Sequence, residues 1–178
     1  LKNVRARYQP EFGFNRHDQE PRLTVGATKN VAAISLLAPA MNESREDNEV
    51  RLKAKRVASV FARVLEQLVP GHVAKYDDTF EQRAFGDNIQ RWGTSTVLVE
   101  SGGWPNDRDK MSIRKLNYVG LLASLHAIAT GDYQQCDLAA YESLPFNTKN
   151  LYDLIVRDIE LTPDNQTPSV RVDVAFNI

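Results

Sequence analysis

Glu100 closes a run of β-branched and apolar residues, Thr96-Val97-Leu98-Val99-Glu100, and Ser101-Gly102-Gly103 follow it. In open α/β sheets ligands lie in the crevice beyond the carboxyl ends of the strands. A carboxylate at such a tip, with glycines behind it to turn the backbone sharply, suits a general base that takes and returns a proton. The alternative is an edge glutamate that meets solvent where its strand stops. His17 is placed in a similar way, just after the short alternating segment Phe12-Gly13-Phe14, in Phe14-Asn15-Arg16-His17-Asp18-Gln19. An imidazole there can ligate a metal or carry a proton; the plainer reading is a hydrogen-bonded loop histidine. His17 and Glu20 also form a His-x-x-Glu pair. That spacing serves zinc on a helix, but Pro21 follows at once and the preceding residues alternate as a strand, so the pair is not read as a ligand pair.

Other candidates carry less. His72 follows Gly71 in a helix-to-strand connection, and His126 stands beside Leu125 on a helix; both read as ordinary structural histidines. Ser101 lacks the first glycine of a nucleophile elbow, since Val99 occupies that position. Gly86, Gly102 and Gly103 have no Gly-Lys-Ser/Thr sequence beside them, so no phosphate loop is present.

The elements that must position these residues follow from periodicity. Glu11 to Asn15 alternates as a short strand, and Val31 to Ala38 is a continuous apolar run that Pro39 ends, as in a buried strand. Val50, Ala54, Val57, Phe61, Val64 and Leu68 recur at steps of three and four, predicting a helix from about Asn48 to Val69. Ser44 with Asp47 resembles a loose capping box, and Gly71 ends the segment. Thr94 to Val99 reads as a strand. A second helix begins after Asp107 and Asp109, carries a stripe of Ile113, Leu116, Leu121, Leu122, Leu125 and Ile128, and stops at Gly131. The polar stretch from Asp132 to Asn150 reads as a linker or irregular excursion. Leu154 to Leu161 and Val170 to Ile178 then alternate around Pro163, Asp164, Asn165 and Pro168, as in a terminal β-hairpin. The sum is an α/β fold, a mixed sheet flanked by helices, with a C-terminal β-hairpin appendage; the expected division is 1–133 and 134–178.

Composition bounds the function. Twenty-two Lys and Arg against 23 Asp and Glu leave a net charge of −1 over 178 residues. That balance argues against nucleic acid or an anionic membrane as the main partner. The longest nearly uncharged apolar stretch, Val31 to Met41, is far short of the roughly 20 residues of a membrane helix. Cys136 is the single cysteine, which excludes an internal disulfide framework and fits a reducing compartment such as the cytoplasm. The first residue is Leu1 rather than Met, as expected for a processed chain or an excerpt of a longer one.

Four stretches taken in order carry a family resemblance: Phe12-Gly13-Phe14-Asn15-Arg16-His17-Asp18-Gln19, Ile34-Ser35-Leu36-Leu37-Ala38-Pro39-Ala40, Arg83-Ala84-Phe85-Gly86-Asp87-Asn88, and Trp92 through Gly103. With the separation of His17 and Glu100, the segment Phe12 to Tyr133 resembles the C-terminal half of the zinc carboxypeptidase (carboxypeptidase-A-like) family, in particular a bacterial branch. The resemblance implies that His17 is a zinc ligand and Glu100 the catalytic base. It implies a metal that lowers the pKa of bound water toward neutrality, with attack on a peptide or amide carbonyl. The family's His-x-x-Glu ligands and its Asn-Arg carboxylate clamp have no match here and are expected N-terminal to Leu1; its mobile tyrosine has no counterpart at the usual place. Arg83 is then the candidate for binding a substrate carboxylate through a bidentate contact, with Tyr76 a remoter one and an exposed salt-bridging arginine the alternative. The expected activity is a zinc metallopeptidase, incomplete and inactive as this isolated chain. A small-amide or ester zinc deacylase would use the same machinery, and a non-catalytic binding or assembly module would keep only the fold. A truncated sheet would expose an edge that invites self-association.

Overall fold

The computed structural model describes residues 2–162 and 168–177. The elements run α1 (Lys2–Tyr8), β1 (Phe12–Asp18), β2 (Leu23–Val25), β3 (Ile34–Leu37), α2 (Glu49–Leu68), β4 (Val73–Lys75), α3 (Phe85–Arg91), β5 (Ser95–Ser101) and α4 (Met111–Thr130). A 3-10 turn (Asp132–Gln135), α5 (Ala139–Glu142), β6 (Asn147–Lys149), β7 (Leu154–Leu161) and β8 (Val170–Phe176) complete the chain. The fold is α/β: a mixed sheet flanked by helices, with a C-terminal β-hairpin. The sheet has the order β1-β5-β3-β4. β1 runs parallel to β5, β3 antiparallel to it, and β4 parallel to β3.

β5 lies inside the sheet and is buried at every residue, which is why its sequence is a nearly continuous Thr/Val/Leu run rather than an alternation. Its two faces are covered by different elements. Val97 and Val99 join Phe61, Leu65, Ile113 and Leu116 in the main core beneath α2 and α4. Each large apolar side chain buried there contributes about 1.5–3 kcal/mol. On the opposite face Gln90 of α3 is fully buried, and its Oε1 accepts from the Thr96 amide at 2.6 Å.

Several expectations need correction. The cap of α2 is Asn48, whose side chain accepts from the Arg51 amide, and not the Ser44–Asp47 pair; Asn48 alone sits at the first turn with extended φ/ψ. On α4 the buried residues are Ile113, Leu116, Asn117, Gly120, Ser124 and Ala127, whereas Leu122 and Leu125 are exposed. The buried stripe is drawn by small residues because α2 comes so near that a Cβ on Gly120 would stand 2.3 Å from the Phe61 ring. No break in packing coincides with the 133/134 boundary. Tyr141 and Leu144 belong to the main core, the Tyr141 hydroxyl accepts from the Ala38 amide at 3.0 Å, and β6 pairs with β2. The stretch read as a linker is thus part of the body, its polar residues serving as turns and caps.

The hairpin of β7 and β8 forms its own two-stranded sheet. Its register shifts between Val156 and Ile159, at an Asp158 with φ 55°, as at a bulge. The turn residues expected at Pro163 to Asn165, and Ile178, lie outside the described residues.

Candidate functional site

His17 and Glu100 are register partners on parallel strands. Partners in register project to the same face of a sheet, so the two side chains meet, with His17 Nδ1 3.5 Å from Glu100 Oε1. The strand β1 runs on to Asp18, so His17 is a strand residue and not the loop histidine of the plainer reading. The geometry just beyond the pair is pinned. The Gln19 amide donates to the Ser101 carbonyl at 2.9 Å, and Gln19 Nε2 donates to the Ala32 carbonyl at 2.9 Å. Gly102 is required there: a Cβ would stand 2.1 Å from the Ala32 oxygen. Each strand tip is therefore held by backbone contacts independent of the two side chains.

The pair opens into a cleft of about 480 Å³, lined also by Asn15, Tyr76, Leu98 and Asp87. That is within the usual size range of small-ligand sites. Glu100 is only 5% exposed, and burial pushes its carboxyl above the ordinary value. The His17 ring opposes that rise, and the nearby Asp18 charge adds to it. Burial likewise pushes the Tyr76 hydroxyl up, reinforced by the Glu100 charge, so Tyr76 stays a phenol and a hydrogen-bond donor at neutral pH.

Asp87 is a second buried carboxyl in the same cleft, also raised by burial. Its Oδ2 accepts from the Glu81 amide at 3.1 Å. Sequence reasoning passed over it. Its signal was an acid in the first turn of a short helix, which reads as a dipole contact.

Arg83 is not brought to the pair. Its side chain is 90% exposed and its Nε lies 3.2 Å from Glu81 Oε1, and it is absent from the cleft lining, although Glu81 and Ala84 on either side of it take part. His72 is a structural histidine: Nδ1 lies 2.7 Å from the Val31 carbonyl and its ring packs edge-on against Trp104. His126 is exposed on α4.

For zinc, the donor set is the test. A catalytic site needs three protein ligands and an open position. Among the described residues no three His, Cys, Asp or Glu side chains gather in a metal-holding group. The residues present do not fit a zinc ion by themselves. Among the described residues no helix is long and apolar enough to cross a membrane.

Compared with protein-family models, with curated proteins and with solved structures, the chain finds no match. The arrangement the side chains define is a buried carboxyl beside an imidazole at the carboxyl ends of two parallel strands.

Proposed function

We propose that this chain carries the general-base part of a hydrolytic site acting on a peptide or amide carbonyl, with Glu100 as the base. The observation that supports the reading is the burial of Glu100 at a strand tip, against His17 and open to a ligand-sized cleft. A carboxyl whose pKa rises toward neutrality is a better match to proton transfer from water than an ordinary one. In the proposed step Glu100 takes a proton from water as its oxygen bonds to the carbonyl carbon. It returns that proton to the departing nitrogen as the C–N bond breaks. Tyr76, a neutral phenol in the same cleft, would donate to the substrate, a role that fits its position better than that of Arg83.

The zinc-carboxypeptidase reading needs more. His17 would be one ligand, and the other donors would come from outside the described residues. A non-catalytic binding module of the same fold is the second reading, and the incomplete donor set favours it.

The test uses the full-length protein, with zinc content and turnover of a C-terminal peptide panel measured side by side. Glu100→Gln should lower kcat/KM by about 10²–10⁴-fold while zinc content is kept; His17→Ala should lose zinc. Normal hydrolysis by Glu100→Gln would remove Glu100 as the base, and a wild-type protein inert on the panel would leave the binding module.

A further inference from the structure

The helix α4 is apolar on the side that the fold leaves open. Its buried face is built largely from Asn117, Gly120, Ser124 and Ala127, beside Ile113 and Leu116. The larger side chains Met111, Tyr118, Leu122 and Leu125 are each more than half exposed. With the exposed Ala129 they follow at steps of seven, four, three and four, which sets them in a band about 60° wide along the outer face. A helix that is apolar on both sides is one that is covered on both, and a long apolar stripe in water marks an interaction surface.

A groove runs beside this ridge. Leu122 forms one edge, and Val119, Ala123 and Ala127 line it with Val60 of α2 around a space of about 730 Å³. The groove side chains are small where those of the ridge are large, so the two features match each other. A two-fold contact needs such a surface, since the same patch serves on both copies.

Charge points the same way. Arg114 and Lys115 stand near the amino end of α4, which contains no acid; cations there oppose the helix dipole. Neither has a carboxylate partner among the described residues. The last turn has no basic residue, and Asp132 follows it, accepting from Thr130 Oγ1 at 2.7 Å. Arg63, on the α2 wall, lies 3.9 Å from the Cys136 sulfur. Each end of α4 thus carries the charge that the other end lacks, and an antiparallel neighbour of the same sequence brings them together.

We propose that the outer face of α4 binds a second copy of this chain in a symmetric antiparallel dimer, the ridge of each copy seated in the groove of the other. The axis passes near Leu122, so Arg114 and Lys115 of each copy reach Asp132 and the carboxyl end of α4 of the other. The ridge, about 27 Å long, is too narrow to supply by itself the roughly 800 Å² that each side of a standard interface covers. Ridge and groove are therefore both used, and the dimer is reversible. It shares no residue with the cleft of His17 and Glu100, and it stands independently of the hydrolytic reading.

Sedimentation velocity of the full-length protein over a concentration series tests the proposal. Wild type should pass reversibly from monomer to dimer. Leu125→Glu, at an exposed position, should weaken the dimer by about tenfold or more, about 1.4 kcal/mol, with the circular dichroism of the monomer unchanged. Lys115→Glu and Asp132→Lys should each weaken self-association, because each sets like charges together at both ends of the contact. A mixture of these two variants should associate again, because the heterodimer restores both opposite-charge pairs. A protein that is monomeric at every concentration overturns the assignment. So does a dimer indifferent to Leu125→Glu, which would be paired through another surface such as a sheet edge, and so does a mixture of the charge variants that associates no better than either alone.

Discussion

His17 and Glu100 are opposite each other in the register of β1 and β5, so their contact is a property of strand pairing before it is one of side-chain choice. A one-residue slip would send one of them to the far face of the sheet. The Gln19, Ala32 and Gly102 contacts that lock the strand ends are what hold the pair in place.

Glu100 should cost stability at neutral pH. Burial raises its carboxyl, so the fold favours the neutral form. Its contribution is fully present below the unfolded value of about 4.3 and is lost as pH rises through the higher folded value. Glu100→Gln should therefore be more stable than wild type at pH 7, by roughly 0.5–2 kcal/mol, with the advantage vanishing near pH 4. Thermal unfolding of both proteins across that range checks it; equal melting curves at every pH would mean the carboxyl is not destabilised.

His17 holds the Glu100 carboxyl down against burial. Removing the ring in His17→Ala should shift the Glu100 titration upward, and Asp18→Asn, which removes a nearby negative charge, should shift it downward. Carboxyl-carbon NMR titration reads both directions in one experiment.

Arg51 is the most heavily used buried cation. It is 3% exposed, its Nε donates to the Ala38 carbonyl at 3.2 Å, its Nη2 to Asp78 at 3.0 Å, and its Nη1 meets the Arg45 carbonyl. Arg51→Met should cost about 1–3 kcal/mol, because the Ala38 carbonyl loses its donor and Asp78 keeps Arg45 as its one remaining guanidinium. Burial pushes the Asp78 carboxyl up, yet hydrogen bonds from Arg45 and Arg51 outweigh it and hold the group below its ordinary value. The stability that Asp78 adds is then present above the unfolded carboxyl pKa and lost as pH falls through the folded one. Denaturant unfolding between pH 2 and 6 should show that loss in wild type and not in Asp78→Asn.

Gly120→Ala should destabilise by about 1–3 kcal/mol through overpacking, since Phe61 is fully buried and has no room to retreat. The companion change Phe61→Leu should recover part of the loss, a coupling that a double-mutant cycle measures.

Ending the chain after Asp153 should leave the melting temperature of the body within about 2–4 °C, the shift that about 1 kcal/mol produces at this size. The hairpin's Leu154, Val170 and Phe176 are exposed, and the Arg22–Asp153 ion pair at its base, 2.8 Å long, is kept. A large drop would mean the hairpin buries more of the body than its exposure implies.

Period and punctuation made the strand of Thr94 to Val99, both long helices and the terminal hairpin legible in the sequence. These are local patterns, written by which side chains face inward along one element. Glu100 was legible for the same reason, as a carboxylate ending an apolar run. Which elements pack closely was not: Leu122 and Leu125 look like core until α2 approaches over Gly120, and the polar 132–150 stretch looks like linker until Tyr141 enters the core. Asp87 and Arg83 exchanged places for a similar reason. A charged side chain on a short segment can point either way, and only the tertiary packing of Phe85 to Arg91 against β5 decided that Asp87 faces the cleft while Arg83 turns to Glu81. Sequence thus determined the strand that carries Glu100 and the helices that cover it. Long-range pairing decided its neighbours, because register and interhelical distance depend on residues too far apart in the chain for any local period to record.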